Sequence, residues 1–273
     1  MDNERTNAER MEPTLRHEFV GMMFALTIGE VGLQAAALVK AGHFVHYLPA
    51  YSHLLVATVM IATSWVGWSL SRAPGARLDV TGIFQWEFVI LLLDVSMVVT
   101  YFILVRAFEF EKANDVPRID PPSSMDFWVA VIFGLYIVWD FVTKVFIPQK
   151  KPDATWFEKY GRMLPTVACL IIACGLTYVL RSADLPHYLT ADFALFSLVL
   201  LFRALKDLVS AVTKKPRDQV VVSKIRWGSF WTILCSAGLA LGILATMCSW
   251  DWIIPDRIAQ EIRSVPQSNG DHP

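Results

Sequence analysis

Ionisable residues within stretches that are otherwise apolar include Glu30, Asp94, Asp140, Lys144, Arg203 and Asp207. At helical spacing, Glu30 shares a face with Thr27 and Gln34, and Asp94 shares one with Glu87 and Tyr101. Tyr136, Asp140 and Lys144 follow one another at intervals of four, as do Arg203 and Asp207. A charged side chain at mid-membrane costs about 2.5–3.5 kcal/mol on insertion scales, so such residues are the informative ones. Four acids against two bases could hold a proton or a cation, or line a water-filled path. Glu30, Gln34, Asp94, Tyr101, Tyr136, Asp140 and Arg203 are the candidate pathway residues, with Glu30 and Asp94 at the centre.

Plainer roles exist for the same residues. Asp140–Lys144 and Arg203–Asp207 have the spacing of intrahelical ion pairs. Lys144 and Arg203 can reach the headgroups along their aliphatic stems. Glu30 and Asp94 can tie helices together by hydrogen bonds. Lys144, Arg203 and Asp207, near an interface, are read in the plainer way. Glu30 and Asp94 are read as functional, since nothing cheap explains two acids at mid-membrane.

The elements that must position these residues are apolar helices. The chain has 273 residues, 55% hydrophobic and 18% charged, with mean hydropathy +0.44. A soluble domain carries about 25% charged residues. Seven apolar segments stand out, at 19–39, 52–71, 84–105, 127–147, 164–181, 190–210 and 229–250. Each approaches the ~20 residues needed to cross the hydrocarbon. The fold class is therefore all-α: a polytopic transmembrane bundle of about seven helices. Residues 1–18 form an N-terminal segment, 19–252 the transmembrane domain and 253–273 a polar tail. The first 18 residues alternate acids and bases without an apolar core, so the first apolar run is expected to stay as a helix. The connection from Glu109 to Ser124 is polar, and Pro117, Pro121 and Pro122 interrupt any helix there.

Fifteen Lys and Arg fall in the N-terminus and the 2–3, 4–5 and 6–7 loops, where Lys206 is counted, and seven fall on the opposite side. That bias places the N-terminus in the cytoplasm, in a plasma membrane or bacterial inner membrane. Asp140-Phe141-Val142-Thr143 resembles Asp207-Leu208-Val209-Ser210, as a duplicated hairpin would leave.

Several function classes are excluded. A net charge of −1 offers no basic face for nucleic acid. No HExxH, GxSxG or Walker A motif is present, and no nucleophile–base or metal constellation points to an intramembrane enzyme, which stays a third class behind the two readings below. No paired intramembrane histidines could bind haem and no Lys lies in the last helix for retinal, so no cofactor is expected. His43, His46, His53 and His187 all fall toward one side, in loops or at helix ends, and no metal site is assigned to them. The four cysteines lie in or beside apolar runs and read as small packing residues. Ser64, Trp65, Gly67 and Trp68 suit an interfacial anchor or a pocket lining. Gly238 and Gly242 form a GxxxG that predicts close helix packing, within the chain or in a homo-oligomer.

The stretch Phe19-Val20-Gly21-Met22-Met23-Phe24-Ala25-Leu26 resembles the first pore helix of the bacterial and lysosomal potassium channels marked by a Phe-Ser-Asp motif. Val20 and Gly21 stand where that family has Ser and Asp, and the family has six helices per repeat. No functional residue is carried over from it. The expected function is movement of an ion, proton or small solute through the bundle. The alternative is a membrane sensor, accessory subunit or scaffold, with lipid as its partner.

Overall fold

The computed structural model describes residues 15–41, 47–70, 84–111, 116–119, 122–145, 160–183, 188–213 and 219–247. The N-terminal segment before Leu15, the tail after Met247, and His43, His46 and His187 lie outside them. Seven long helices follow in chain order: α1 (Leu15–Ala41), α2 (Leu48–Leu70), α3 (Trp86–Val105), α4 (Pro122–Val145), α5 (Leu164–Ala183), α6 (Tyr188–Thr213) and α7 (Gln219–Met247). A 3-10 turn, Gly161–Met163, leads into α5.

The helix ends follow from local chemistry. Pro122 opens α4 rather than breaking it, because a proline at the first helical position forfeits a donor that has no helical partner anyway. Helix α7 starts at Gln219, ten residues before its expected start, since polar residues outside the hydrocarbon can still continue a helix. The connection read as irregular contains a β-hairpin. Strands β1 (Phe108–Glu111) and β2 (Val116–Ile119) pair antiparallel, with Phe110 opposite Pro117. The alternating Phe-Glu-Phe-Glu of β1 is the period-two signal of a strand.

The helices pack as a staggered bundle. Helix α1 lies against α2 and α3, α3 against α4, α4 against α5, and α6 against both α2 and α5. Helix α7 packs on α6 in the most extensive contact of the bundle. The end where α3 gives way to the hairpin and α4 begins is called the hairpin end below. The core is apolar, with Met60 and Ile61 of α2, Tyr101 and Leu104 of α3, Phe133 of α4, and Leu195 and Leu198 of α6.

The polarity of the molecule is inverted relative to a soluble protein. Leu26 and Leu33 on α1 and Ile233 and Leu241 on α7 are each more than 60% exposed, while Asp94, Asp126 and Asp192 are at most 2% exposed. Apolar surface this extensive needs lipid or a partner. Six of the helices are long and apolar enough to cross a membrane. The seventh, α6, carries Asp192, Arg203, Lys206 and Asp207 and is enclosed by α2, α5 and α7. The chain is an integral membrane protein built as a helical bundle.

Candidate functional site

Helix α6 is the element around which the polar interior is built. Its face toward α7 is small. A methyl group on Gly242 would lie 2.9 Å from both Cα and Cβ of Ala194, and one on Gly238 would lie 2.9 Å from Oγ of Ser197. The two glycines thus meet α6 of the same chain. With α7 held that close, the opposite side of α6 turns its polar residues toward α2 and α4.

Tyr136 of α4 stands at the middle of this interior. Its ring stacks on Phe202 of α6, with centroids 5.5 Å apart and planes 17° from parallel. Its hydroxyl meets that of Tyr101 of α3 at 2.7 Å and also bonds Ser64 of α2. Ser64 in turn donates to the carbonyl oxygen of Met60 at 2.6 Å. A carbonyl can only accept, so this arrangement orders the donors. With Ser64 donating to Met60, Tyr136 donates to Ser64 and Tyr101 donates to Tyr136.

The charged residues lie on either side of that hydroxyl chain. Asp94 of α3 accepts from Nε1 of Trp139 at 2.9 Å. Asp140, one turn beyond Tyr136, faces Lys206 Nζ at 3.6 Å and Lys144 Nζ at 3.9 Å. Lys206 also sits over the rings of Tyr136 and Phe202, at 5.4 and 5.1 Å. Arg203 pairs with Asp207 at 3.1 Å. Gly67 of α2 makes room for Arg203, whose Nη1 would be 3.1 Å from a Cβ there. Asp140 therefore faces Lys144 and Lys206, and Asp207 faces Arg203, while Asp94 is held by the Trp139 indole.

Of the candidate pathway residues, Tyr101 and Tyr136 touch, and Asp94, Asp140 and Arg203 belong to the same layer. Glu30 and Gln34 do not join them. Gln34 donates to Glu30 at 2.9 Å, and Arg106, just past the end of α3, pairs with Glu30 at 3.0 Å. Arg106 and Asp94 are twelve residues apart, about 18 Å of helical rise. Glu30 therefore sits much closer to the hairpin end than Asp94 does, and the two acids share no bond. The stagger of α1 against α3 sets this, and position within an apolar run does not report stagger.

Other polar residues of the interior escaped the sequence reading. Lys206, counted with the loop after the sixth helix, lies within α6; its spacing of three from Arg203 was the available signal. Trp139, immediately before Asp140, is one more aromatic in an apolar run, and nothing local marks it as a donor to α3. At the hairpin end, His53 of α2 is buried, with Nδ1 3.2 Å from Oδ1 of Asp192 on α6. The Ser52 hydroxyl meets both the other oxygen of Asp192 and the carbonyl oxygen of Pro49, the latter at 2.9 Å. Asp126, near the start of α4, is also fully buried. Asp126 falls one residue before the expected span and His53 near a helix end, so position along the apolar runs marks neither as buried. Among the described residues no group of three or more His, Cys, Asp or Glu is placed to hold a metal ion.

No family model, no curated protein and no solved structure matches the chain.

Proposed function

We propose that the bundle passes a proton or small cation across the membrane through the interior between α2, α3, α4 and α6. Asp94, Tyr101, Tyr136, Asp140 and Arg203 lie in its path, with Ser64, Trp139 and Lys206 beside them. The observation that carries this reading is the presence, inside an apolar core, of the Asp140–Lys206 pair over the Tyr136 ring whose hydroxyl bonds Tyr101 and Ser64. Packing alone would be served as well by apolar side chains, since a buried ion pair contributes little net stability. Proton passage along the hydroxyls requires Ser64 to rotate off the Met60 carbonyl, which makes Ser64 the gate of the chain. Glu30, held by Gln34 and Arg106, serves as a brace between α1 and α3. The N-terminus is placed in the cytoplasm of a plasma membrane or bacterial inner membrane, on the bias of basic loops.

The test is flux into liposomes carrying the purified protein, read with an internal pH dye and with cation-selective dyes. Tyr136→Phe removes the central hydroxyl and keeps the ring on Phe202. It is expected to cut flux at least about tenfold, the factor given by ~1.4 kcal/mol on a barrier. Glu30→Gln is expected to leave flux unchanged. Full flux in Tyr136→Phe, or no flux in the wild type under any gradient, moves the assignment to the second reading. That reading is a sensor, accessory subunit or scaffold. It is favoured by the close pairing of Asp140 with Lys144 and Lys206, which neutralises the charges without any moving ion.

A further inference from the structure

Three groups of the interior converge on the ammonium of Lys206. Its Nζ lies 3.6 Å from Oδ2 of Asp140, 5.4 Å from the centre of the Tyr136 ring and 5.1 Å from the centre of the Phe202 ring. The two ring centres are 5.5 Å apart, so the ammonium and the rings form a nearly equilateral triangle. A carboxylate oxygen beside two aromatic rings is the chemistry that binds a monovalent cation. The carboxylate supplies the opposite charge, and the ring quadrupoles attract a cation held within about 6 Å.

The carboxylate depends on that occupant. Oδ2 of Asp140 is buried and accepts no hydrogen bond among the described residues; its ion pair is with Lys206. The oxygen nearer Lys144 is the other one, Oδ1, at 3.9 Å. A desolvated carboxylate oxygen without a donor or a counter-charge is costly. Packing alone does not ask for lysine here, since an apolar side chain of the same length would cover both rings. A quarter of the Lys206 side chain is exposed, so the place it fills is not sealed inside the bundle.

We propose that Asp140, Tyr136 and Phe202 form a seat for a monovalent cation and that Lys206 is a tethered cation filling it, which bars metal cations from the interior. Lys206 is thereby the residue that sets selectivity. A proton needs no seat of this size, so the path is left to protons. The selectivity rests on the flux reading above; the seat does not, because its occupancy can be measured whether or not anything crosses the membrane.

The experiment uses the purified full chain. Lys206→Ala keeps the helix and vacates the place beside Asp140. Its thermal midpoint in detergent is followed while ethylammonium chloride replaces N-methylglucamine chloride, whose cation is too bulky for the seat, at fixed pH and ionic strength. A ligand that binds only the folded state raises the midpoint with concentration. A rise of a few degrees in Lys206→Ala, absent from wild type and from Lys206→Ala combined with Asp140→Asn, supports the seat. Equal responses of Lys206→Ala and wild type overturn it. Should Lys206→Ala fail to assemble without the amine, assembly becomes the readout: recovery in ethylammonium supports the seat, and failure with and without it overturns it. In liposomes the ratio of potassium flux to proton flux is expected to rise at least about tenfold in Lys206→Ala, equivalent to ~1.4 kcal/mol on a barrier. Lys206→Arg, which keeps the charge over the rings, is expected to hold the wild-type ratio. An unchanged ratio in Lys206→Ala, or a wild type that passes potassium as readily as protons, overturns the selectivity assigned to Lys206 and leaves the flux reading standing. A wild type that passes nothing strikes the flux reading, and the amine titration then decides the seat alone.

Discussion

A methyl group added at Gly242 has nowhere to go. It would lie 2.9 Å from Cα and Cβ of Ala194 and 3.0 Å from its backbone nitrogen. Carbon atoms pack best at about 3.5–4.0 Å, so α6 and α7 must part by roughly 0.6–1.1 Å. The obstacle is backbone, and no side-chain rotation relieves it. Overpacking of this kind costs about 1–3 kcal/mol. Alanine regains at most about 1 kcal/mol of helix propensity over glycine. With the full propensity gain, the balance for Gly242→Ala is a loss of up to about 2 kcal/mol. Gly238 is a different case four residues earlier. Its methyl would meet Oγ of Ser197, also at 2.9 Å, but the next atoms are 3.6 and 3.8 Å away. A hydroxyl can rotate aside, so the propensity gain offsets most of the cost and Gly238→Ala stays within about 0.5 kcal/mol of wild type. The assay is thermal unfolding in detergent, followed with a thiol-reactive dye that reports exposure of buried Cys169 and Cys235. Gly242→Ala should melt several degrees lower, at roughly 2–4 °C per kcal/mol for a chain of this size, and Gly238→Ala should not. A Gly242→Ala protein as stable as wild type, or a Gly238→Ala protein less stable than Gly242→Ala, would refute the close approach of α7 to α6.

Two further outcomes follow from the same geometry. Asp140→Asn leaves Lys206 and Lys144 facing no carboxylate from that position and should cost about 3–5 kcal/mol, as breaking a buried pair does; adding Lys206→Met should recover part of it, and a double-mutant cycle that finds the two changes simply additive would show that the pair does not interact. Reporter fusions after Ala76 and after Asn114 should report opposite sides of the membrane, cytoplasmic and external respectively, and the same side for both would overturn the seven-span topology and its orientation.

The helices themselves were legible in the residues. Crossing the hydrocarbon imposes a local requirement, about 20 apolar residues with every backbone group bonded within its own helix, and that requirement is written segment by segment. The spacing of Gly238 and Gly242 was legible for a similar reason, since close approach of two helices needs small residues four apart. The hairpin was half visible, in the alternation of Phe108 to Glu111, and was obscured by the prolines around it. Polar residues of the interior could be recognised by type: Asp94, Asp140 and Arg203 announce themselves against an apolar background.

Their partners were a matter for the tertiary structure alone. His53 and Asp192 are 139 residues apart, Ser64 and Tyr136 are 72 apart, and Glu30 and Arg106 are 76 apart. Equal depth within two apolar runs suggested that Glu30 and Asp94 meet. The stagger of α1 against α3 instead pairs Glu30 with Arg106 at the hairpin end and leaves Asp94 to Trp139. Depth along one helix is set by hydropathy, a property of consecutive residues. Stagger, rotation about the axis and choice of neighbour are set by how side chains from distant segments interlock, and no stretch of sequence carries that information by itself.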